Sequence, residues 1–190
     1  MTHGPESKVD WHGLALEQLT WHWEAQARPR LEGLTDAEYL WEPTEGSWSV
    51  RPRADARTAQ AAGGGELVID FEYPEPSPVP LTTIAWRLGH LIVGVFGGRV
   101  AAHFDGPPCD YFTWEYAATA DAALAQLDAA YERWVAGVRT LDGAGLARAV
   151  GEAEGPYAER PMAELVLHIN REAIHHMAEV AVLRDLWAHR

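Results

Sequence analysis

The sequence contains a single cysteine, Cys109, and this scarcity excludes two classes of protein. One thiol cannot form an internal disulfide framework, and a cysteine-rich zinc module needs several. The surrounding residues, PPCDY, match no nucleophile motif, so we interpret Cys109 as an incidental thiol. Small disulfide-stabilised folds and cysteine-based zinc modules are therefore excluded.

Positive charge is also scarce, with 15 lysines and arginines against 28 aspartates and glutamates and a net charge of −13. Nucleic acids and anionic membranes bind basic surfaces, so neither is an expected partner. The longest apolar stretches are interrupted by Arg87, His90 and Arg99, which predicts that no segment spans a membrane. The first residues, MTHGPESKVDWHG, lack the order of a signal peptide, and the prediction is a cytoplasmic protein.

Standard catalytic and nucleotide-binding motifs are missing as well. The sequence has no GxSxG, no Walker A loop and no GxGxxG after a strand-like segment. The glycines at 63–65 are followed by neither a phosphate-binding lysine nor a helical pattern. What the sequence does have is 47% hydrophobic residues, including nine tryptophans, which is enough for a sizeable core. Its length favours one domain over residues 1–190.

Four segments carry the apolar periodicity of amphipathic helices: residues 10–33, 81–103, 117–141 and 161–187. Pro29 should end or bend the first of them. The third presents one strongly apolar face, which consists of Leu124, Leu127, Tyr131, Trp134 and Val138. We therefore predict an all-α protein with the architecture of a four-helix bundle.

The long connection between the first two helices, residues 42–80, is rich in proline and glycine. Residues 66–73 alternate between polar and apolar side chains, which predicts a short strand, paired with residues 47–50. We interpret this connection as a loop and short-strand insertion. A loop of this length in a compact domain is usually functional or partly disordered.

Two shorter connections have simpler interpretations. Thr35 and Glu38 have the spacing of a capping box, which predicts a short turn of helix. Residues 143–159 lack apolar periodicity and are predicted to form a loop.

The last helix carries His168, Glu172 and His176 at intervals of four residues. Residues four apart lie on one face of a helix, so Glu172 and His176 can point at a common atom, as the two histidines of HExxH zinc sites do. A carboxylate with neutral imidazoles suits zinc, nickel, iron or manganese. The alternative is a solvated surface pair.

A metal site needs a third protein ligand, and His90 is the candidate because it lies in the middle of an apolar helix. The alternative is a core histidine satisfied by a hydrogen bond. His168 is a candidate for an alternative ligand, a residue behind the ligands or a pocket wall. His175 is a weaker candidate that would form hydrogen bonds at the edge of the core, and His22 could line the same cavity.

The remaining histidines have no partner pattern, and we predict that they lie on the surface: His3, His12, His103 and His189.

Three sequence patterns occur in a distinctive order. They are P-x-x-G-x-W-S-V at 43–50, W-x-x-G-H-L at 86–91, and E-x-x-x-H-x-x-E-x-x-x-L-R at 172–184. Each pattern is loose, but together the sequence resembles the DinB/YfiT-like superfamily of metalloproteins, whose fold is a four-helix bundle. Many members have three histidine ligands, whereas here Glu172 occupies one of the positions. In having a glutamate at this position, the sequence resembles the branch of mycothiol-dependent maleylpyruvate isomerases.

That resemblance implies metal ligands His90, Glu172 and His176, with a metal-bound water or thiolate as the reacting group. It also implies a low-molecular-weight thiol cosubstrate, such as mycothiol or bacillithiol, an electrophilic small-molecule substrate and a homodimer. The insertion at 42–80 is longer than in the simplest members and is expected to shape the mouth of the pocket.

The function expected from the resemblance is that of a thiol-dependent S-transferase or isomerase that uses a divalent metal, zinc in the first place. The alternatives are a metal-binding, stress-associated protein without turnover, a metal-dependent hydrolase, and a structural bundle without metal. Arg87, one turn before His90, could bind an anionic group, with a structural ion pair as its alternative. Trp21, Trp48 and Trp86 could line the pocket, with core packing as theirs.

Overall fold

The computed structural model describes residues 9–190, and its helices confirm the predicted bundle. Four long helical units form it. The first is α1 (Trp11–His22) with a π-helical continuation, Trp23–Ala27. The second comprises α3 (Ile84–His90), a π-helical segment (Leu91–Gly97) and α4 (Gly98–His103). The others are α5 (Ala120–Arg139) and α7 (Met162–Ala188). The short helices are α2 (Asp36–Tyr39) and α6 (Gly143–Ala147).

Local sequence signals explain where several of these helices begin and end. Thr35, Thr83 and Thr119 each accept a hydrogen bond from a backbone N–H of the first turn of α2, α3 and α5, respectively. The Thr35 cap was predicted and is confirmed, whereas the carboxylate of Glu38, the predicted partner in a capping box, pairs with Arg184 instead. Pro29 begins a 3-10 turn, Pro29–Leu31, after the first helical unit, as its missing N–H and fixed φ require.

The core lies between all four helical units, and α7 contributes Ile169, Met177 and Val180 among others. All five residues of the predicted apolar face of α5 are buried. The ring of Trp23 stacks on that of Tyr131 at a centroid distance of 4.0 Å, and Phe96 meets both rings edge-on. These aromatic contacts join the first helical unit, the α3–α4 unit and α5.

The insertion contains the predicted strand in a shorter form. Strand β1 (Val50–Pro52) pairs antiparallel with β2 (Leu67–Ile69), with Val50 opposite Ile69. Pairing therefore starts at the end of the predicted partner segment, 47–50. Trp48 instead pairs with Thr82 just before α3, and its backbone exchanges hydrogen bonds with Leu81 and Thr83.

Two predictions for the remaining segments are wrong. The predicted loop at 143–159 contains α6 and a 3-10 turn, Glu152–Tyr157. His103 is not on the surface, because its side chain is only 2% exposed and its Nε2 lies 2.9 Å from Glu154 Oε1. A carboxylate more than fifty residues away satisfies this ring, and no local pattern announces such a partner.

The other histidines predicted to lie on the surface differ among themselves. His189 is exposed as predicted, whereas His12 is partly buried and bonds to the backbone oxygen of Val138. His3 lies outside the described residues. Within residues 9–190, none of the helices is both long and apolar enough to cross a membrane.

Candidate metal centre

His90 is the last residue of α3, and two aromatic side chains hold its ring. Trp86, one turn earlier, stacks on the imidazole at a centroid distance of 5.3 Å. The hydroxyl of Tyr111, from the connection between α4 and α5, lies 2.7 Å from His90 Nδ1. With Nδ1 engaged by this hydroxyl, Nε2 is the nitrogen available to a ligand.

Glycine makes the contact between Tyr111 and His90 possible. A Cβ atom at Gly94 would overlap the Tyr111 hydroxyl and lie 3.1 Å from His90 Nδ1. The backbone oxygen of Gly94, within the π-helical segment, accepts a hydrogen bond from Arg99. This segment therefore starts directly after the candidate ligand and accommodates its aromatic partner, a placement typical of π-helical turns at functional sites.

The structure brings His90 together with Glu172 and His176 of α7. One ligand atom from each of the three side chains lies within 4.8 Å of the others. His176 Nε2 is 3.6 Å from Glu172 Oε2, and the rings of His90 and His176 are nearly perpendicular at a centroid distance of 4.7 Å. Two imidazoles and one carboxylate with ligand atoms this close together match the donor set of a divalent transition metal.

Glu179 fixes the orientation of His176. Its Oε2 accepts a hydrogen bond from His176 Nδ1 at 2.7 Å, which leaves Nε2 facing Glu172. Arg87 also contacts Glu179, at 3.1 Å, and lies 3.3 Å from His176 Nδ1. A carboxylate on the far nitrogen of a histidine is the usual support of a metal ligand, because it fixes the tautomer and the ring. Glu179 belongs to the sequence pattern at 172–184, but its role as the partner of His176 was not predicted; its spacing of three from His176 was the available signal.

Burial keeps both imidazoles neutral. It lowers the pKa of His90 to about 3, and the nearby His176, Arg87 and Arg99 act in the same direction. Burial also lowers the pKa of His176, although the hydrogen bond to Glu179 opposes this shift. Metal ligation requires neutral histidine, so both rings are in the binding state at neutral pH.

His168 and His175 lie beside this cluster. His168 Nδ1 is 3.6 Å from Glu172 Oε1 and 2.7 Å from Arg171 Nη2, so it contacts the side chain of a candidate ligand. His175 forms with His176 and Glu179 a second group that could hold a metal. We favour the first group, because in the second Glu179 is already hydrogen-bonded to His176 and paired with Arg87, and His175 is 62% exposed.

A cavity of about 470 Å³ borders the His-Glu-His cluster, because His90 lines it together with the neighbouring Arg87. Trp48 and Trp86 line it, in agreement with one of the two interpretations of each. His22 and Trp21 are not among its lining residues, and Trp21 is 58% exposed. The insertion at 42–80 supplies more than half of the wall, namely Trp48, Ala62, Ile69, Asp70, Phe71, Glu75, Val79 and Pro80.

Asp70 anchors the insertion against the cavity. Its carboxylate, which is fully buried, accepts hydrogen bonds from the backbone N–H groups of Ser49 and Arg57 and from the Arg51 guanidinium at 2.7 Å. Its backbone oxygen accepts a hydrogen bond from the indole of Trp86. The insertion is thus tied to the helix that carries His90.

Cys109 takes no part in this cluster. Burial raises the pKa of its thiol to about 11, so the thiolate is scarce at neutral pH. The interpretation of Cys109 as an incidental thiol agrees with this setting.

A helical bundle with a His-Glu-His cluster between its second unit and its last helix is the class of protein that fold and site define. The family model of the DinB superfamily matches residues 57–180, and the chain belongs to that superfamily. The match includes His90, Glu172 and His176 and begins after the segment at 43–50. Searches of curated proteins and of solved structures gave no match.

Proposed function

We propose that this protein is a metal-dependent enzyme that holds a divalent ion, zinc in the first place, through His90, Glu172 and His176. The observation that carries the proposal is the approach of three ligand atoms to within 4.8 Å of one another. The softer donor pair of imidazoles favours zinc over magnesium or calcium, and nickel, iron and manganese are the alternatives.

The surrounding residues have separate tasks in this proposal. Tyr111 and Glu179 orient the two histidines, and the aromatic walls of the 470 Å³ cavity exclude water and hold apolar parts of a substrate. A divalent metal supplies Lewis acidity, which lowers the pKa of a thiol or water that binds to it. Arg87, on the cavity wall, presents a positive charge to the substrate while it pairs with Glu179.

The proposed reaction is the attack of a low-molecular-weight thiol on a small electrophile, in an S-transferase or isomerase. Mycothiol and bacillithiol are the candidate thiols, on the strength of the similarity of the His-Glu-His set to the mycothiol-dependent branch. A cavity of this size lies within the range of small-molecule sites, roughly 300–1,000 Å³. It favours an enzyme over a metal-storage module, which has no use for such a space.

Metal analysis of the purified protein tests the ligand set. We expect about one equivalent of metal in the wild type and none in a His90→Ala/His176→Ala variant. His175→Ala separates the two candidate groups, and His189→Ala is the control for loss of an exposed histidine. Loss of metal in His175→Ala, with retention in His90→Ala, would assign the ion to the other group.

A screen of thiols against model electrophiles tests turnover. We expect thiol transfer by the metal-loaded wild type and its loss in Glu172→Gln. Ester or amide hydrolysis without a thiol would instead assign a metal-dependent hydrolase. Stoichiometric metal without any turnover would leave a metal-binding, stress-associated protein.

The proposal includes a homodimer and a cytoplasmic location, as the resemblance and the composition predict, and a single domain over residues 1–190. Light scattering after size-exclusion chromatography measures the mass in solution. A monomeric mass would contradict the homodimer. Limited proteolysis tests for a separable unit, and a stable fragment would contradict the single domain.

A further inference from the structure

A second, basic cleft lies next to the candidate metal centre and takes no part in the function proposed so far. Its volume is about 390 Å³, and α4, the turn at Glu152–Tyr157 and the first half of α7 contribute to it. The polar residues that line the basic cleft are the arginines Arg99, Arg160 and Arg171, the glutamates Glu154 and Glu164, and His168 and Tyr157. Three arginines against two glutamates leave an excess of positive charge, in contrast to the net charge of −13 of the chain.

Two arginines of the cleft, Arg160 and Arg171, retain unused hydrogen-bond donors. They approach carboxylates only at 3.6 and 3.7 Å, and their side chains are 63% and 70% exposed. Arg171 also lies 2.7 Å from His168 Nδ1, which occupies one of its five donors. Arg99 is already engaged, because it pairs with Glu154 at 3.3 Å and donates to the backbone oxygen of Gly94. A guanidinium with free donors is suited to carboxylate or phosphate oxygens.

A small cavity of about 130 Å³ lies between the basic cleft and the candidate metal centre. It shares Arg99 and His168 with the basic cleft, and His90 and Tyr111 with the aromatic cavity. Glu172 also lines it. The candidate ligands thus have an apolar space on one side and a cationic one on another.

We propose that the basic cleft binds the carboxylates of an acidic thiol cosubstrate, while the aromatic cavity receives the electrophile. This deepens the proposed function and rests on it for the identity of the ligand as a thiol. The cleft selects a thiol with free carboxylates over an uncharged one, because the arginines donate charge-assisted hydrogen bonds only to the acid. Of the two candidate thiols it therefore favours bacillithiol, which carries the carboxylates of a malate group, over mycothiol, which has no free carboxylate.

Binding of S-methylglutathione tests the cleft without metal or turnover. This probe keeps two carboxylates and has no free thiol, so its binding does not depend on a metal. By isothermal titration calorimetry, we expect it to bind the wild-type protein and to bind Arg160→Gln/Arg171→Gln at least about tenfold more weakly. Arg139→Gln is the matched control, since Arg139 is exposed on α5 and does not line the cleft.

The diethyl ester of the same probe removes the carboxylates, and we expect it to bind the wild type as weakly as the acid binds the double variant. Equal affinities of wild type and double variant for the acid would overturn the proposal, as would an ester that binds as tightly as the acid. Circular dichroism of each variant verifies its fold.

Kinetics separate failure of this inference from failure of the proposed function. In thiol transfer, we expect the double variant to have a higher KM for glutathione and an unchanged kcat. Its KM for an uncharged thiol, such as N-acetylcysteine amide, should equal that of the wild type. If transfer depends on the metal and the KM for each thiol is the same in the wild type and the double variant, the proposal for the cleft is overturned and the proposed enzyme function is retained. If the acid binds at the cleft but the protein holds no metal and shows no turnover, the proposed enzyme function is overturned and carboxylate binding at the cleft is retained.

Discussion

At the scale of single residues, His90 and His176 each engage a protein partner through Nδ1, and each has Nε2 left over. For His90 the partner is the hydroxyl of Tyr111, and for His176 it is the carboxylate of Glu179. Both partners fix a ring orientation before any ligand arrives. An imidazole held in this way loses less conformational freedom when it binds a metal.

Tyr111→Phe removes only the hydroxyl on His90. We expect metal affinity to fall about tenfold, because the ring loses its fixed orientation. The free energy of unfolding of the metal-free protein should fall by about 1 kcal/mol, the usual value of one hydrogen bond. Competition with a chromophoric chelator measures the affinity.

Tyr116→Phe is the matched control for Tyr111→Phe, because its hydroxyl makes only a 3.4 Å contact with the backbone of Tyr111 and does not touch His90. Equal affinities of the wild type and Tyr111→Phe would show that the hydroxyl has no part in metal binding.

At the scale of elements, the π-helical segment Leu91–Gly97 links the candidate ligand to the connection that carries Tyr111. Within this segment, which begins directly after His90, the backbone oxygen of Gly94 accepts a hydrogen bond from the guanidinium of Arg99. Sequence periodicity indicated a helix here but not its π-helical turn, because the glycines weaken the pattern without showing what approaches them.

Gly94→Ala should separate Tyr111 from His90, since the new methyl group would occupy the place of the hydroxyl. We expect a loss of metal affinity similar to that of Tyr111→Phe, together with a loss of about 1–3 kcal/mol of stability from overpacking. In the double variant Gly94→Ala/Tyr111→Phe the losses should not add, because both act on one contact. Additive losses in a double-mutant cycle would contradict this explanation.

Asp70→Asn should release the insertion that forms the aromatic cavity. The variant removes the negative charge that accepts hydrogen bonds from the Arg51 guanidinium and two backbone N–H groups, while Arg51 keeps Glu42 as a partner. We expect a loss of about 1–3 kcal/mol, or selective unfolding of the insertion. Hydrogen exchange of residues 47–70 distinguishes the two outcomes. Asp121→Asn, an exposed first-turn aspartate of α5, is the control, and equal stability of both variants would show that Asp70 anchors nothing.

At the scale of the whole molecule, the buried histidines couple stability to pH. In the metal-free protein the pKa of His90 is about 3, below its ordinary value of 6.5, and that of His176 is also lowered. Between these values the unfolded chain binds more protons than the folded one. The stability that these histidines contribute is therefore full above about pH 6.5 and is lost as the pH is lowered through the window towards 3.

Denaturant unfolding at pH 7 and pH 5 in metal-free buffer measures this coupling. We expect His90 to account for a loss of about 2 kcal/mol between these two pH values, and His90→Gln should show a correspondingly smaller difference. All other titrating groups remain in the variant, so the smaller difference measures the loss of His90 together with its electrostatic contact with His176. The same difference in both proteins would contradict the lowered pKa.

The helices, the apolar face of α5, the cap at Thr35 and the spacing of Glu172 and His176 were accessible from the sequence. Each depends on residues within a few positions of one another, where helix geometry alone relates sequence to space. The resemblance to the DinB/YfiT-like superfamily rested on such local patterns, and the match over residues 57–180 confirms it at the level of the superfamily.

Only the tertiary structure decided which distant residues meet. His90 could approach α7 only through the packing of two helical units, and Tyr111 and the Glu154 partner of His103 come from connections without periodic patterns. The basic cleft combines residues of such a connection with residues of α4 and α7. Helical periodicity determines which face of a helix is buried, but not which residue lies opposite it, because that depends on the packing of the whole chain.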